Sequence, residues 1–283
     1  MCIRDRYGSA YCCLAKMTKR KLPEIVSITL LCLAPVLSTA QSAQMDEAKL
    51  PQSPDDAAPM QSVSVSAVKD PEIKSYRSML AGLVAFEKNH GLAPAAPELR
   101  FVLSSMSKDA VADYRHAKLS IRGDTVSIPV PIDTDNSFVI PRSKEADDEN
   151  ADLILDLRKG EIRGRPDIRT PGVPENTRRL GDLRLECEVR SAIAKAETNF
   201  VFRSAIAAAT LGRGLCQSAK MKMGFFAGKK IQEVMLVAGD RHAPLTRFSG
   251  PHYFPPVGDE DWPDDTLIHF KFEGASAPKA NEE

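Results

Sequence analysis

Histidine, tryptophan and other aromatic residues are scarce: the 283 residues hold five histidines and one tryptophan, and Phe, Tyr and Trp make up 6%. The histidines, His90, His116, His242, His252 and His269, are scattered, and none is paired at zinc-ligand spacing. The residues predict no metal site and no bound cofactor. A Gly-x-Ser-x-Gly nucleophile elbow is missing. Gly212-Arg213-Gly214 lacks the further glycine and the preceding strand of a phosphate-cradling loop. Ser105-Met106-Ser107-Lys108 has Ser-x-x-Lys spacing without the partner motifs of penicillin-binding enzymes, and it reads as a loop after a strand. Charge of one sign is lacking too, since 38 Lys and Arg face 38 Asp and Glu. The first forty residues hold six basic and two acidic groups, which leaves 32 against 36 in the rest. A mildly acidic body without a basic stripe argues against a nucleic-acid partner, because such binding displaces counterions from phosphates with clustered Lys and Arg.

What is present begins with an export pattern. Met1 to Arg6 resembles a translated sequencing-library tag, so residues 1–16 are read as an assembly artefact and Met17 as the start. Lys19, Arg20 and Lys21 precede the 13-residue apolar run Ile25 to Leu37, and Ser38-Thr39-Ala40 supplies a small-residue cleavage site. About 20 apolar residues are needed to span a bilayer, so 17–40 reads as a signal peptide, with no stable membrane span once it is cleaved. Cys32 follows Leu31 inside the apolar core, which argues against a lipoprotein signal. The expected destination is the periplasm or the medium.

Cysteine then becomes informative. Cys2, Cys12 and Cys13 precede Met17 and Cys32 lies in the signal, so Cys187 and Cys216 alone remain. Two cysteines in an exported chain predict one disulfide, whose loop closure is worth about 3–4 kcal/mol. The spacing is neither Cys-x-x-Cys nor interrupted by a histidine, against redox and metal roles.

Residues 41–69 are rich in Gln, Ser, Ala, Asp and Pro without a sustained period, the composition of a solvated linker. Asp70-Pro71-Glu72 has the chemistry of a helix start, and Ile73, Tyr76, Leu80 and Leu83 recur at helical spacing toward Gly91. After Pro97 the period becomes two. Leu99 to Leu103, Leu119 and Ile121, Val126 to Ile132 and Leu153 to Leu157 alternate, and Ile162 to Ile168 reads as one more strand. Pro129 and Pro131 predict a sheet edge, since neither donates to a ladder. Thr170 to Pro174 reads as a boundary. Beyond it Leu183, Leu185, Cys187 and Val189 alternate with charged residues as a strand would, and Ser191 to Leu211 is helical. Ile231 to Ala238, Leu245 to Phe248 and Thr266 to Phe272 read as strands.

The fold expected is therefore mainly β: two tandem β-sandwich-like domains, 70–169 with an N-terminal amphipathic helix and 182–273 with a helical crossover, joined by a linker at 170–181 and followed by a disordered tail at 274–283. Asp133, Asp135 and Ser137 have the alternate spacing of a calcium loop, but Phe138 and Lys144 stand where its glycine and glutamate belong, so a hairpin turn is expected. The acidic runs 147–149 and 259–261 read as solvated loops. Arg163, Arg165, Arg169, Arg178 and Arg179 gather around the proposed boundary, where salt bridging is expected ahead of binding an anionic envelope component. His269 is read as a surface residue. His252, Tyr253 and Trp262 lie in a proline-rich segment that is the candidate ligand surface, with capping of a core as its structural counterpart. Function is expected to be non-enzymatic: binding an envelope protein or small ligand, or scaffolding. The competing expectation is a hydrolase or metal-dependent enzyme assembled from loops, which requires His252, Asp261 and Asp264, or the two acidic runs, to converge.

Overall fold

The computed structural model describes residues 70–274 except 106–113, 115, 211, 220–221 and 247–249, together with two short N-terminal strands. Those two, Ile3–Arg4 and Ala10–Tyr11, pair antiparallel within a unit of their own, Met1–Ser66. The segments expected to be a signal peptide with its cleavage site, a linker at 41–69 and a tail after Gly274 lie outside the described residues. No helix among the described residues is long and apolar enough to cross a membrane.

The unit from Ala67 to Glu283 is built mostly of antiparallel strands. Its first strand, β1, is Pro71–Ser75, and helix α1 follows at Tyr76–Lys88. This corrects the helix start expected at Asp70. Asp70 takes a left-handed φ of 61° and its carbonyl accepts from Lys159 N–H at 3.0 Å, so the next five residues pair with a neighbouring strand. Sheet pairing thus outcompetes the local capping signal, and the helix begins where Tyr76 is fully buried. The Tyr76 hydroxyl donates to Pro141 O at 2.7 Å and accepts from Ser143 N–H at 2.8 Å.

Strands β2 (Arg100–Ser105), β3 (Leu119–Arg122), β4 (Ser127–Val130), β5 (Ser137–Phe138), β6 (Asp152–Arg158) and β7 (Ile162–Asp167) follow, with the short helix α2 (Lys144–Asp148) before β6. They form two sheets, β1-β6-β3-β4 and β5-β2-β7. Pro129 sits on edge strand β4, as its missing donor requires. The alternation read from sequence sends Ile121, Leu153 and Leu155 from one sheet, and Phe101 and Leu103 from the other, into one cluster with Tyr76 and Phe86 of α1.

The second half comprises β8 (Thr177–Arg179), α3 (Leu180–Glu197), α4 (Phe200–Ala209), β9 (Phe225–Phe226), β10 (Ile231–Ala238), β11 (Arg241–Pro244), β12 (His252–Tyr253) and β13 (Leu267–Phe272). One sheet runs β8-β13-β10-β11, and β9 pairs with β12. Of the strand expected at 245–248, Leu245 and Thr246 carry no strand and 247–248 lie outside the described residues; a strand stands at Arg241–Pro244, returning from β10 across a turn at Gly239-Asp240. Ile268 and Phe272 face inward, as read from their period.

The main correction concerns α3, whose residues Leu183 to Arg190 alternate like a strand yet are helical. Residues two apart on a helix point to nearly opposite sides, while residues four apart share a side. Leu183 and Cys187 enter the second core and Leu185 and Val189 enter the first, all with no exposed surface. A helix buried on two faces mimics a period of two. The helix therefore serves both halves. α1 lies against it at Gly82, where an added Cβ would sit 2.9 Å from Ile193 Cδ1. At its first turn a Cβ on Gly181 would stand 2.2 Å from the Leu92 carbonyl oxygen. Both contacts need glycine.

Cys187 and Cys216 are joined, with Cα atoms 5.8 Å apart, so the expected disulfide closes a loop that contains α4. Cys187 faces the core from a helix, however, and not from a strand.

Candidate functional site

The site begins with arginines that the fold takes inward. β7, the 168–170 turn, β8 and α3 bring Arg165, Asp167, Arg178 and Glu186 together where the two halves meet. Arg178 pairs with Glu186, the two side chains being 8% and 6% exposed, and also donates to Ile168 O at 3.0 Å and to Asp167 at 3.4 Å. Glu186 accepts from Ile168 N–H at 3.0 Å. Arg165 donates to Phe226 O at 2.8 Å and lies 4.6 Å above that ring. Asp167 is further held by Arg169 at 3.1 Å. Salt bridging is thus the use the fold makes of Arg169, Arg178 and Arg179, the last paired with Asp182 at 3.6 Å and also bonded to Leu92 O at 2.6 Å.

Burial opposes charge on Arg178, but Glu186 overcomes it and holds the guanidinium above its ordinary range. Burial pushes Glu186 up against the pull of Arg178. For Asp167 burial works upward as well, yet Arg178 and Arg169 prevail and the carboxyl lies below its usual range. Tyr253 is pushed upward by burial, so it stays a neutral phenol. His252 is shifted below the ordinary imidazole value by burial first, then by Arg163 and Arg165.

Beside this network opens a cleft of about 170 Å³ bounded by Arg169, Asn176, Thr177, Arg178, Phe226, Lys229, Tyr253, Phe270 and Phe272. Its aromatic wall is continuous: Tyr253 meets Phe270 edge-on at 4.8 Å, and Phe270 stacks on Phe272 at 5.8 Å. Lys229 Nζ stands 5.8 Å from the Phe272 ring. Counting the network behind it, four cationic side chains, Arg165, Arg169, Arg178 and Lys229, face two carboxylates, Asp167 and Glu186. With both acids ionised these six groups carry an excess of cations, which favours an anionic group beside them. A second cleft, about 220 Å³, lies between Lys222, Leu245, Thr246, Phe254 and the 255–259 loop. It is roomier but gathers one cation and one acid, so the smaller cleft carries the stronger recognition chemistry.

The candidate ligand residues separate. Tyr253 is 1% exposed and belongs to the core, with its ring on the wall of the cleft. His252 is exposed on β12 and meets the Phe226 ring at 5.4 Å. Trp262 packs elsewhere, under Arg241, whose guanidinium lies 3.6 Å from the ring centre. Its loop is tied to α3 by Arg184, which bonds the carbonyls of Val257, Asp259 and Trp262 at 3.0, 2.6 and 2.8 Å and pairs with Asp264. Asp261 engages Arg241 through its carbonyl. Asp264 and Asp261 thus anchor this loop.

The other acids have structural tasks. Asp135 accepts from Ser137 N–H at 3.0 Å in a turn closed by Asp133 N–H to Ser137 O at 2.8 Å; the expected turn is there, but it links β4 and β5 of two different sheets and not the paired strands of a hairpin. Asp147 pairs with Arg77 at 3.1 Å, and Glu149 holds the Thr125 and Val126 N–H groups at 3.0 and 3.1 Å. No group of three His, Cys, Asp or Glu side chains among the described residues is placed to hold a metal ion. His269 is exposed on β13 and bonds the Thr177 hydroxyl at 3.2 Å. Ser105 ends β2, and Lys108 lies outside the described residues. Sequence reading missed Arg169, Arg178, Lys229 and Phe270 as one site. The arginine cluster was visible, but its meeting with Lys229 and the aromatic wall is long-range.

Comparison with protein-family models, curated proteins and solved structures gave no match.

Proposed function

We propose that this chain is an exported, non-enzymatic binding protein of the bacterial envelope, whose partner inserts an anionic group flanked by a flat apolar moiety into the Arg169–Lys229 cleft. The observation that supports this most is the convergence of Arg169, Arg178 and Lys229 on a wall made of Tyr253, Phe270 and Phe272. Charge selects the anion, and the rings supply apolar contact beside it. Size narrows the partner. Sites that engulf whole small molecules run to about 300–1,000 Å³, so a cleft of about 170 Å³ suits one functional group of a larger ligand or of an envelope protein.

Export is supported by the Lys19–Ala40 pattern and by the Cys187–Cys216 bridge, since disulfides persist in oxidising compartments. The two sheets that close on one core in the first half support a sandwich-like character there, and α3 supplies the wall shared with the second half.

Calorimetric titration with benzoate and with inorganic phosphate tests the reading. Saturable benzoate binding, weakened at least about tenfold by Arg169→Glu and by Lys229→Glu, is the expected result, because each reversal replaces attraction by repulsion at an exposed rim. Equal behaviour of wild type and both variants would reject the cleft as the binding site.

A further inference from the structure

α4 begins with two large apolar side chains that stand exposed. Phe200 is 73% and Val201 75% exposed, the largest values among the exposed large hydrophobics, and Ala205, Ala207, Ala208 and Ala209 are exposed behind them. Large apolar groups grouped on one exposed helix mark a surface that meets something. The helix lies within the loop closed by Cys187 and Cys216, is separated from α3 by two residues, and ends at Ala209, three positions before Gly212, whose φ of 77° suits glycine.

The charge around it differs from the rest of the chain. Between residues 195 and 222 stand Lys195, Arg203, Arg213, Lys220 and Lys222 against one acid, Glu197. That acid is paired with Lys74 at 3.0 Å. The body after residue 40 is net acidic, so the segment is a basic, apolar excursion from an acidic protein.

From this juxtaposition we infer that α4 docks on an anionic phospholipid surface, with Phe200 and Val201 entering the headgroup boundary and the flanking Lys and Arg contacting lipid phosphates. Apolar side chains at one end of a short helix with basic flanks are the combination that holds an interfacial helix, binding by buried apolar area together with attraction to anionic lipid. A second copy of the chain is a poorer occupant. A two-fold contact places the same patch against itself, which would bring the basic flanks together. The inference is independent of the cleft.

Vesicle flotation of the full chain tests it, using phosphatidylglycerol mixed into phosphatidylcholine and phosphatidylcholine alone. The double variant Phe200→Ser/Val201→Ser removes the apolar tip at exposed positions, and Arg203→Glu reverses a charge. Val84→Ser, at another exposed apolar position of 53%, serves as the control. Expected are flotation with the phosphatidylglycerol vesicles that weakens with salt, a drop of at least about tenfold for the double variant, a smaller drop for Arg203→Glu, and no change for Val84→Ser. Absence of flotation would overturn the inference. So would flotation indifferent to the double variant, or self-association of the wild type that the double variant abolishes, which would assign the helix to a second copy.

Discussion

Arg178 and Glu186 are the residues on which the join between the halves depends, and their energetics are lopsided. A buried pair contributes little beyond a well-packed apolar pair of the same volume, but removal of one partner strands the other charge. Arg178→Met should therefore lower the unfolding free energy by about 3–5 kcal/mol, and Arg178→Met/Glu186→Leu should recover most of that loss. Urea unfolding monitored by circular dichroism measures both. An equal loss in single and double variants would show that the arginine acts through packing and not charge.

Asp167 gives the same network a pH signature. Its folded pKa lies below the unfolded value of about 3.9, so its contribution is complete above that value and disappears as pH falls through the folded one. Acidification from about pH 5 to below about pH 3, the window these pKa values set, should lower the melting temperature of the wild type more steeply than that of Asp167→Asn. Parallel profiles would mean that Asp167 carries no linked charge. At this scale the sequence was informative about side-chain type and silent about pairing. Five boundary arginines were legible as salt-bridge formers, yet nothing local said that Arg178 would be 7% exposed and Arg179 would reach Leu92.

At the scale of elements, legibility followed how far each segment answers to its own residues. β4, β6 and β13 have one buried face each and declared it by alternation. α3 did not, because burial on two sides erased the amphipathic contrast by which a helix is recognised. β1 was hidden for a different reason: its local chemistry favours a helix start, and only pairing with β6 overrides it. The disulfide was accessible to counting alone, since the expectation of export leaves two candidate cysteines. It staples α3 to the chain beyond α4 across 29 residues, and Cys187→Ala/Cys216→Ala should cost about 3–4 kcal/mol in unfolding free energy by loop closure. Denaturant titration of the double variant beside wild type measures it. A cost near zero would show that the denatured chain gains no freedom from the lost link.

For the whole molecule, the shared helix has a thermodynamic consequence. Leu185 and Val189 leave the first core when Leu183 and Cys187 leave the second, so the halves should unfold together. Trp262 reports on the second half, and far-ultraviolet circular dichroism on the whole. Their urea transitions should coincide, and two separated midpoints would mean that α3 does not couple the cores. The export reading also belongs to this scale. It rests on the Lys19–Ala40 pattern and a bridged cysteine pair, and it frames the cleft as a surface offered to envelope components and not to cytosolic ones.

The cleft itself combines residues from β8, β9, β12, β13 and the turns beside them, far apart in sequence, which is why the candidate surface of His252, Tyr253 and Trp262 shares Tyr253 alone with it. The most direct test is a map of backbone amide shifts in the exported, oxidised protein as benzoate is added. The largest shifts should fall at Asn176, Thr177, Ala227, Lys229 and Phe270 and should disappear in Lys229→Glu. Shifts centred on Arg203 and Arg213, or none that saturate, would contradict the assignment of this cleft as the protein's binding site.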